Sequence, residues 1–112
     1  MRRDNAYLRD ILSSIRDVKK FLRGVKAERF RQNREKQFAV LRALEIIGEA
    51  AKQVSKDLRG KNPQVPWKEV AGMRDKLIHD YFGIDIGIVW DTATEDLPKL
   101  ECAISKILKD HS

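Results

Sequence analysis

The stretch Pro66 to Gly83, PWKEVAGMRDKLIHDYFG, holds the densest group of reactive side chains in this 112-residue chain. Pro66 suits the first position of a helix, because the N–H that proline lacks would have no partner there. Apolar residues then recur at the three- and four-residue spacing of an amphipathic helix. They are Val70, Met73, Leu77 and Tyr81. The stretch therefore predicts a helix that ends near Gly83.

Two longer helices are predicted before this stretch. The first runs from Asp4 to Arg23, with Asp4 as a candidate N-cap and Gly24 as a candidate left-handed stop. The second runs from Phe38 to Leu58 and is apolar on two sides, which predicts that two of its faces are buried. Its second face consists of the small residues Ala39, Ala43 and Ala50 together with Ile46. We expect this face to need a partner helix, and a second copy of the chain is one candidate.

The segments after these helices complete the pattern. Arg59 to Val65 predicts a turn, Asp85 caps a fourth helix, Ile86 to Glu95, and Asp96-Leu97-Pro98 begins a last one. No segment alternates like a β-strand, so we expect an all-α, antiparallel up-and-down bundle of four to five helices. Without a linker or an internal repeat, residues 1–112 should form a single domain.

Composition restricts the partners and the compartment. The chain has 23 Lys and Arg against 17 Asp and Glu, and the net charge of +6 favours an anionic partner such as nucleic acid. Because the acidic residues are interspersed, a merely soluble surface fits as well. Cys102 is the one cysteine, so no disulfide forms within the chain, and its apolar surroundings predict burial. No apolar run approaches about 20 residues, so we expect a cytoplasmic protein without a membrane segment.

The polar stretch Lys26 to Gln37 allows two interpretations. Its cations could contact phosphates while Phe30 stacks on a base. Alternatively, the stretch is a solvated connection that leads into the next helix, with Asn33 as the cap. The candidates for RNA contact are Arg29, Arg31, Arg34, Lys36 and, in the central stretch, Lys76.

The central stretch carries side chains suited to RNA chemistry. His79 could move a proton at a ribose 2′-hydroxyl or at the leaving oxygen, and Arg74 could hold the phosphate. On one straight helix these two residues point about 140° apart, so they converge only if the helix unwinds near His79 or a second subunit shares the groove. Asp75 lies one turn before His79 and can orient its imidazole. Residue types and spacing alone favour a helix-terminal histidine and an arginine in a surface ion pair. No other His or Cys lies at ligand spacing to His79, so no metal site is expected.

The segment RDKLIHDY at Arg74 to Tyr81 resembles the Arg-x(4)-His-x-Tyr motif of the HepT family of HEPN-domain proteins. These are toxins paired with a minimal nucleotidyltransferase antitoxin. The resemblance extends to QFAVLRALEIIGEAAKQVS in the second predicted helix, to the PW at Pro66, and to the ID…VW…DLPKLE run of the last third. It therefore covers nearly the whole chain.

This resemblance implies an all-α homodimer of HEPN type with the motif in a cleft between subunits. Arg74 and His79 would be the catalytic pair of a metal-independent endoribonuclease without a cofactor, supported by Asp75 and Asp80. The protein would be the toxin of a type VII-like toxin–antitoxin system with RNA as substrate. The partner nucleotidyltransferase would attach AMP to Tyr81, which would add negative charge and bulk beside Arg74 and block the RNA site.

A different class of function remains open. The chain could be a non-catalytic subunit that binds a nucleotidyltransferase and holds its substrate. Both functions use the same fold and partner, so the fold cannot distinguish them. The discriminating observation is whether Arg74 and His79 of two subunits converge on an open basic groove. General DNA binding through Arg29 to Lys36 is a third possibility that only the charge supports.

Overall fold

The computed structural model describes residues 2–79 and 85–110, with side chains for residues 3–73 and 85–110. Within these ranges the chain forms α1 (Arg2–Phe21), α2 (Ala27–Gln32), α3 (Arg34–Gln53), α4 (Lys56–Lys61), α5 (Trp67–His79), α6 (Ile86–Asp91) and α7 (Leu97–Asp110). A π-helical segment, Thr92–Asp96, connects α6 to α7. The described residues contain no strand, and the all-α class is confirmed. The helices outnumber the expected four to five because two connections are short helices, α2 and α4.

The core forms where α3 packs against α1 on one side and α5 on the other. The predicted stripe of α1 is buried from Leu8 to Val18, and Ile47 of α3 is completely buried. The small-residue face of α3 is covered in part within the single chain, since Ala43 and Ala50 are about 5% exposed while Ala39 and Ile46 are half-buried. The partner helix expected for this face is thus supplied in part by the chain itself, and a second copy there stays a prediction.

Three helix ends agree with their sequence signals. Gly24 has a φ of 72°, the left-handed conformation expected after α1. The Asn33 side chain accepts a hydrogen bond from the Lys36 N–H at 3.0 Å and caps α3. Asp85 caps α6 by accepting from the N–H of the second and third helical residues at 2.8 and 3.3 Å. The interpretation of the polar stretch as a connection capped by Asn33 thus agrees with the fold.

The junction between α3 and α4 differs from the prediction. Asp4 is no N-cap, because α1 already begins at Arg2, and its carboxylate accepts the Ser55 N–H at 2.8 Å. In a continuous helix that N–H would donate to the carbonyl of Ala51. The helix predicted to reach Leu58 therefore ends at Gln53, and the Ser55 hydroxyl caps α4 by accepting from the Leu58 N–H at 3.1 Å. The first three residues of the predicted Arg59–Val65 turn consequently belong to α4, and the rest of it is non-helical.

The last third contains two further corrections. The fourth helix ends at Asp91 as an α-helix rather than at Glu95, and the π-helical segment leads directly into α7 at Leu97. Cys102 is exposed rather than buried. It lies two residues after Leu100, about 200° around the axis from that buried side chain, and so faces away from the core. None of the described helices combines the length and apolarity needed to cross a bilayer.

Candidate functional site

The motif helix α5 is anchored at its first turn. Trp67 is 7% exposed, and its indole N–H donates to the Asn62 carbonyl at 2.9 Å. Pro66 immediately precedes the helix, and its carbonyl accepts the Val70 N–H at 3.0 Å. The Trp67 ring therefore serves packing and is not available for base stacking. These contacts fix the start and direction of α5, which carries the motif at its other end.

The part of the motif from Arg74 to His79 occupies the last turns of α5. The backbone is helical from Trp67 through His79, so the helix does not unwind before His79. The Cα atoms of Arg74 and His79 are therefore separated by about 140° around the axis, and those of Asp75 and His79 lie one turn apart. The side chains of residues 74–79, including Lys76, and all of Asp80 and Tyr81 lie outside the described part of the structure. Their contacts remain predictions.

A groove of about 720 Å³ runs beside α5, between that helix and the last third of the chain. Its lining is mainly apolar and includes Val70, Met73 and Leu100, and the side chain of Ile88 at its edge is 49% exposed. The described charged residues in the lining are Glu69, Asp85, Asp96 and Lys99, which is net acidic. RNA phosphates would be repelled there, whereas an apolar protein surface would fit.

The predicted RNA contacts divide into two groups. Arg29, Arg31 and Arg34 are exposed, as phosphate contacts require. Lys36 instead donates through Nζ to the Phe21 carbonyl at 2.7 Å and so caps the end of α1. Phe30 is completely buried, with its ring centroid 5.3 Å from that of Trp90. The idea that Phe30 stacks on a base is therefore wrong.

Sequence reasoning missed Phe38 as a candidate contact. Its side chain is 52% exposed, and the Arg34 guanidinium carbon lies 5.4 Å from the ring centroid. This is a cation–π arrangement between residues one helical turn apart. The four-residue spacing was visible in the sequence, but the exposure of the ring depends on which face of α3 meets α1 and α5.

Comparison with known proteins places this helical chain among ribonucleases. A sequence model described as ribonuclease HepT-like matches residues 11–107. A Methanocaldococcus jannaschii protein named as a candidate RNase is 49% identical over 105 residues, covering 94% of this chain and 90% of the relative. A Thermococcus cleftensis protein named "Probable ribonuclease HepT" is 47% identical over 103 residues, covering 92% and 94%. No solved structure matches the chain significantly.

These matches cover almost the whole chain at high identity. The chain therefore belongs to the HepT-like ribonuclease family. Membership and the names of the relatives support RNase activity, and the HEPN-like helical fold is consistent with it.

Proposed function

We propose that this protein is a metal-independent endoribonuclease that uses Arg74 and His79 at a cleft shared by two copies of the chain. The observation that carries the proposal is that Arg74 and His79, which have the spacing of the Arg-x(4)-His-x-Tyr motif, both lie on α5 in a member of a ribonuclease family. RNA supplies the nucleophile, its own 2′-hydroxyl, so the protein needs only to hold the phosphate and move protons.

The reaction then proceeds without an activated protein nucleophile. The 2′-oxygen bonds to phosphorus while the bond from phosphorus to the 5′-oxygen breaks, which leaves a cyclic phosphate and a 5′-hydroxyl. His79 takes the 2′-hydroxyl proton or protonates the 5′-oxygen, and the His79 of the second copy or solvent performs the other transfer. Arg74 stabilises the charge that grows on the phosphate oxygens. Asp75 and Asp80 support the pair by orienting it.

Two observations support a second copy at the site. Arg74 and His79 lie on one continuous helix about 140° apart, which does not favour convergence within one chain. The apolar groove beside α5 is uncovered in the single chain, and a Cβ atom built on Gly72 would meet nothing within 4 Å. A two-fold axis beside α5 would cover this surface and bring the motifs of both copies together.

The same proposal includes control by a partner enzyme. Tyr81 is the last residue of the motif and, by the family resemblance, is the residue to which a minimal nucleotidyltransferase antitoxin attaches AMP. The added phosphate would compete with RNA phosphate for Arg74 and repel the substrate. The chain is then the toxin of a type VII-like toxin–antitoxin system.

The deciding experiment is RNA cleavage by purified protein in EDTA. Intact-mass spectrometry first establishes that Tyr81 is unmodified, since an AMP-bearing sample would also be inactive. We expect cleavage in EDTA and a loss of about 100-fold or more in His79→Ala, the usual contribution of a general acid or base. His111→Ala changes the only other histidine and is the matched control, which should cleave like the wild type.

Three results would contradict the proposal. Cleavage that EDTA abolishes would exclude a metal-independent reaction. A wild type that is active as a monomer by light scattering would exclude the shared cleft. No cleavage of single-stranded or structured RNA by unmodified, dimeric protein would favour the non-catalytic binding subunit.

A further inference from the structure

We propose that Arg34 and Phe38, on the first turns of α3, form a base-stacking platform for single-stranded RNA. The bound RNA strand lies along the basic end of the bundle and continues toward the motif helix. The inference rests on the proposed function in one respect, that the ligand is the RNA to be cleaved. It concerns where the protein holds the strand away from the bond that is cut.

The basicity of the protein is concentrated in one segment. Residues 19–42, here called the basic segment, contain nine Lys and Arg and two Glu, a net charge of +7. The whole chain carries +6, so the other 88 residues together carry −1. The basic segment comprises the end of α1, all of α2 and the start of α3, which the chain brings together at one end of the bundle. An anionic strand is attracted to that end.

Within the basic segment, some cations are occupied and others are free. Lys19 pairs with Glu101, and Arg42 pairs with Glu45 at 3.4 Å. Among the described side chains, the exposed Arg29, Arg31 and Arg34 have no ion-pair partner. Arg29 and Arg31 on α2, together with Arg34 of the platform itself, therefore offer guanidinium groups that can bind phosphate with paired donors.

The platform itself is an exposed aromatic ring beside a cation. Phe38 is 52% exposed, and Phe38 and Ile88 are the large apolar side chains that stand out from the described surface in this way. The Arg34 guanidinium lies over the ring, so the pair offers two flat surfaces on which an unpaired base can stack. Ile88, by contrast, lines the apolar groove, where Lys99 is the one cation among the described lining residues.

The corner that carries the platform is fixed before any ligand binds. The Gln37 amide donates to the carbonyls of Phe30 and Arg31 at 2.8 and 3.0 Å, which ties the end of α2 to the first turn of α3. Lys36 ties the same turn to the end of α1 through the Phe21 carbonyl. A rigid corner loses little conformational entropy on binding, which favours affinity.

The platform lies at the same end of the bundle as the motif. The antiparallel helices α3 and α5 meet at the groove, which Leu44 and Met73 both line. Phe38 lies six residues before Leu44 on α3, and His79 lies six residues after Met73 on α5. Each of them is therefore about 9 Å along its helix from the groove, in the same direction. The contact between Phe30 of α2 and Trp90 of α6 independently places the chain after the motif at this end. A strand stacked on Phe38 can therefore extend toward the motif.

A protein partner fits this face less well than RNA. In a two-fold dimer formed through Phe38, the basic segments of both copies would face each other and repel. The apolar groove beside α5, whose described charged residues are net acidic, is the better protein surface.

The test measures RNA binding separately from cleavage. All variants are made on His79→Ala, and the anisotropy of a labelled oligouridine is followed at several salt concentrations. Phe38→Ala should weaken binding roughly 5- to 150-fold, the range measured for loss of one stacked base. Phe38→Trp should retain binding. Arg34→Ala should weaken binding and lower the slope of log affinity against log salt by about 0.7, the value for one phosphate contact on a single strand.

Lys56→Ala is the matched control. It removes one exposed positive charge from α4, beyond the opposite end of α3, and should change the affinity less than about twofold because charges beyond a Debye length are screened. Equal affinity of Phe38→Ala and its parent would overturn the inference, and so would no binding by the parent at low salt. A Phe38→Ala variant that changes from dimer to monomer would show that the ring contacts a second copy instead. Binding that depends on Phe38 in a protein that never cleaves would preserve this inference while refuting the proposed function.

Discussion

The Asp4 carboxylate accepts two hydrogen bonds from Ser55, one from the backbone N–H at 2.8 Å and one from the hydroxyl at 2.6 Å. Asp4 is only 3% exposed, although it is charged and lies on the first turns of α1. The same Ser55 hydroxyl accepts a hydrogen bond from the Leu58 N–H, so it both donates to Asp4 and caps α4. This contact between residues 51 positions apart determines where α3 ends and where the chain turns toward α5.

Asp4→Ala should therefore destabilise the protein more than an ordinary acidic substitution. The Ser55 N–H would lose its partner in a partly buried place, and hydrogen bonds to a charged group contribute about 1.5–3 kcal/mol each. We expect the free energy of unfolding, measured with urea, to fall by about 2–4 kcal/mol. Asp10→Ala, an exposed site on the same helix, should change it by less than about 0.5 kcal/mol. Equal urea midpoints for the two variants would show that the Asp4 contact contributes little.

Helix ends were predictable where the signal is local. The Asn33 and Asp85 side chains accept hydrogen bonds from backbone N–H groups within three residues, and the left-handed φ of Gly24 is a property of that residue alone, so all three roles could be recognised from the sequence. The partner of Asp4 lies 51 residues away, and no local pattern indicates it. For that reason two predictions were wrong: Asp4 is not an N-cap, and the second helix does not continue through Ser55 to Leu58.

The two phenylalanines of the basic segment illustrate the same limit. Phe30 and Phe38 both lie in charged surroundings, yet one is completely buried and the other is 52% exposed. The difference arises because α2 packs Phe30 against Trp90, which lies 60 residues further along the chain. The motif was likewise placed correctly on a helix, since α5 continues through His79, but the convergence of Arg74 and His79 with the help of a second copy stays a prediction.

Phe30→Ala should destabilise the fold, whereas Phe38→Ala should leave the free energy of unfolding almost unchanged. Loss of the buried Phe30 ring removes its packing against Trp90 and leaves a cavity, so unfolding should become easier by about 3–5 kcal/mol. Loss of the exposed Phe38 ring should change the free energy of unfolding by no more than about 0.5 kcal/mol. Urea unfolding followed by circular dichroism measures both. A large loss in Phe38→Ala would mean that the ring supports the fold, and the RNA-binding experiment would then need Phe38→Leu as its variant.

The Cys102 thiol should be accessible in the folded protein. Because Cys102 is exposed on α7, iodoacetamide should alkylate it under native conditions at a rate within about tenfold of the rate in urea. A buried thiol would react only after the protein unfolds. Intact-mass spectrometry over time measures the rate, and Cys102→Ser verifies that the added mass is on this residue. Protection in the native protein would contradict the exposure seen in the single chain and would indicate that a second molecule covers this part of α7.

Gly72→Ala tests whether the surface beside the motif is covered. A Cβ at this position meets nothing within 4 Å in the single chain, and alanine favours a helix over glycine by up to about 1 kcal/mol. The folded monomer should therefore gain about 0.5–1 kcal/mol in its free energy of unfolding, measured with urea at dilute protein concentration. Gly60→Ala in α4 is matched, because a Cβ there is equally free of neighbours. If a second copy packs closely on α5, only Gly72→Ala should also weaken the dimer, measured by sedimentation equilibrium. An unchanged dimer constant in both variants would mean that no helix of the second copy approaches Gly72 closely, and the shared cleft would have to be built around another part of α5.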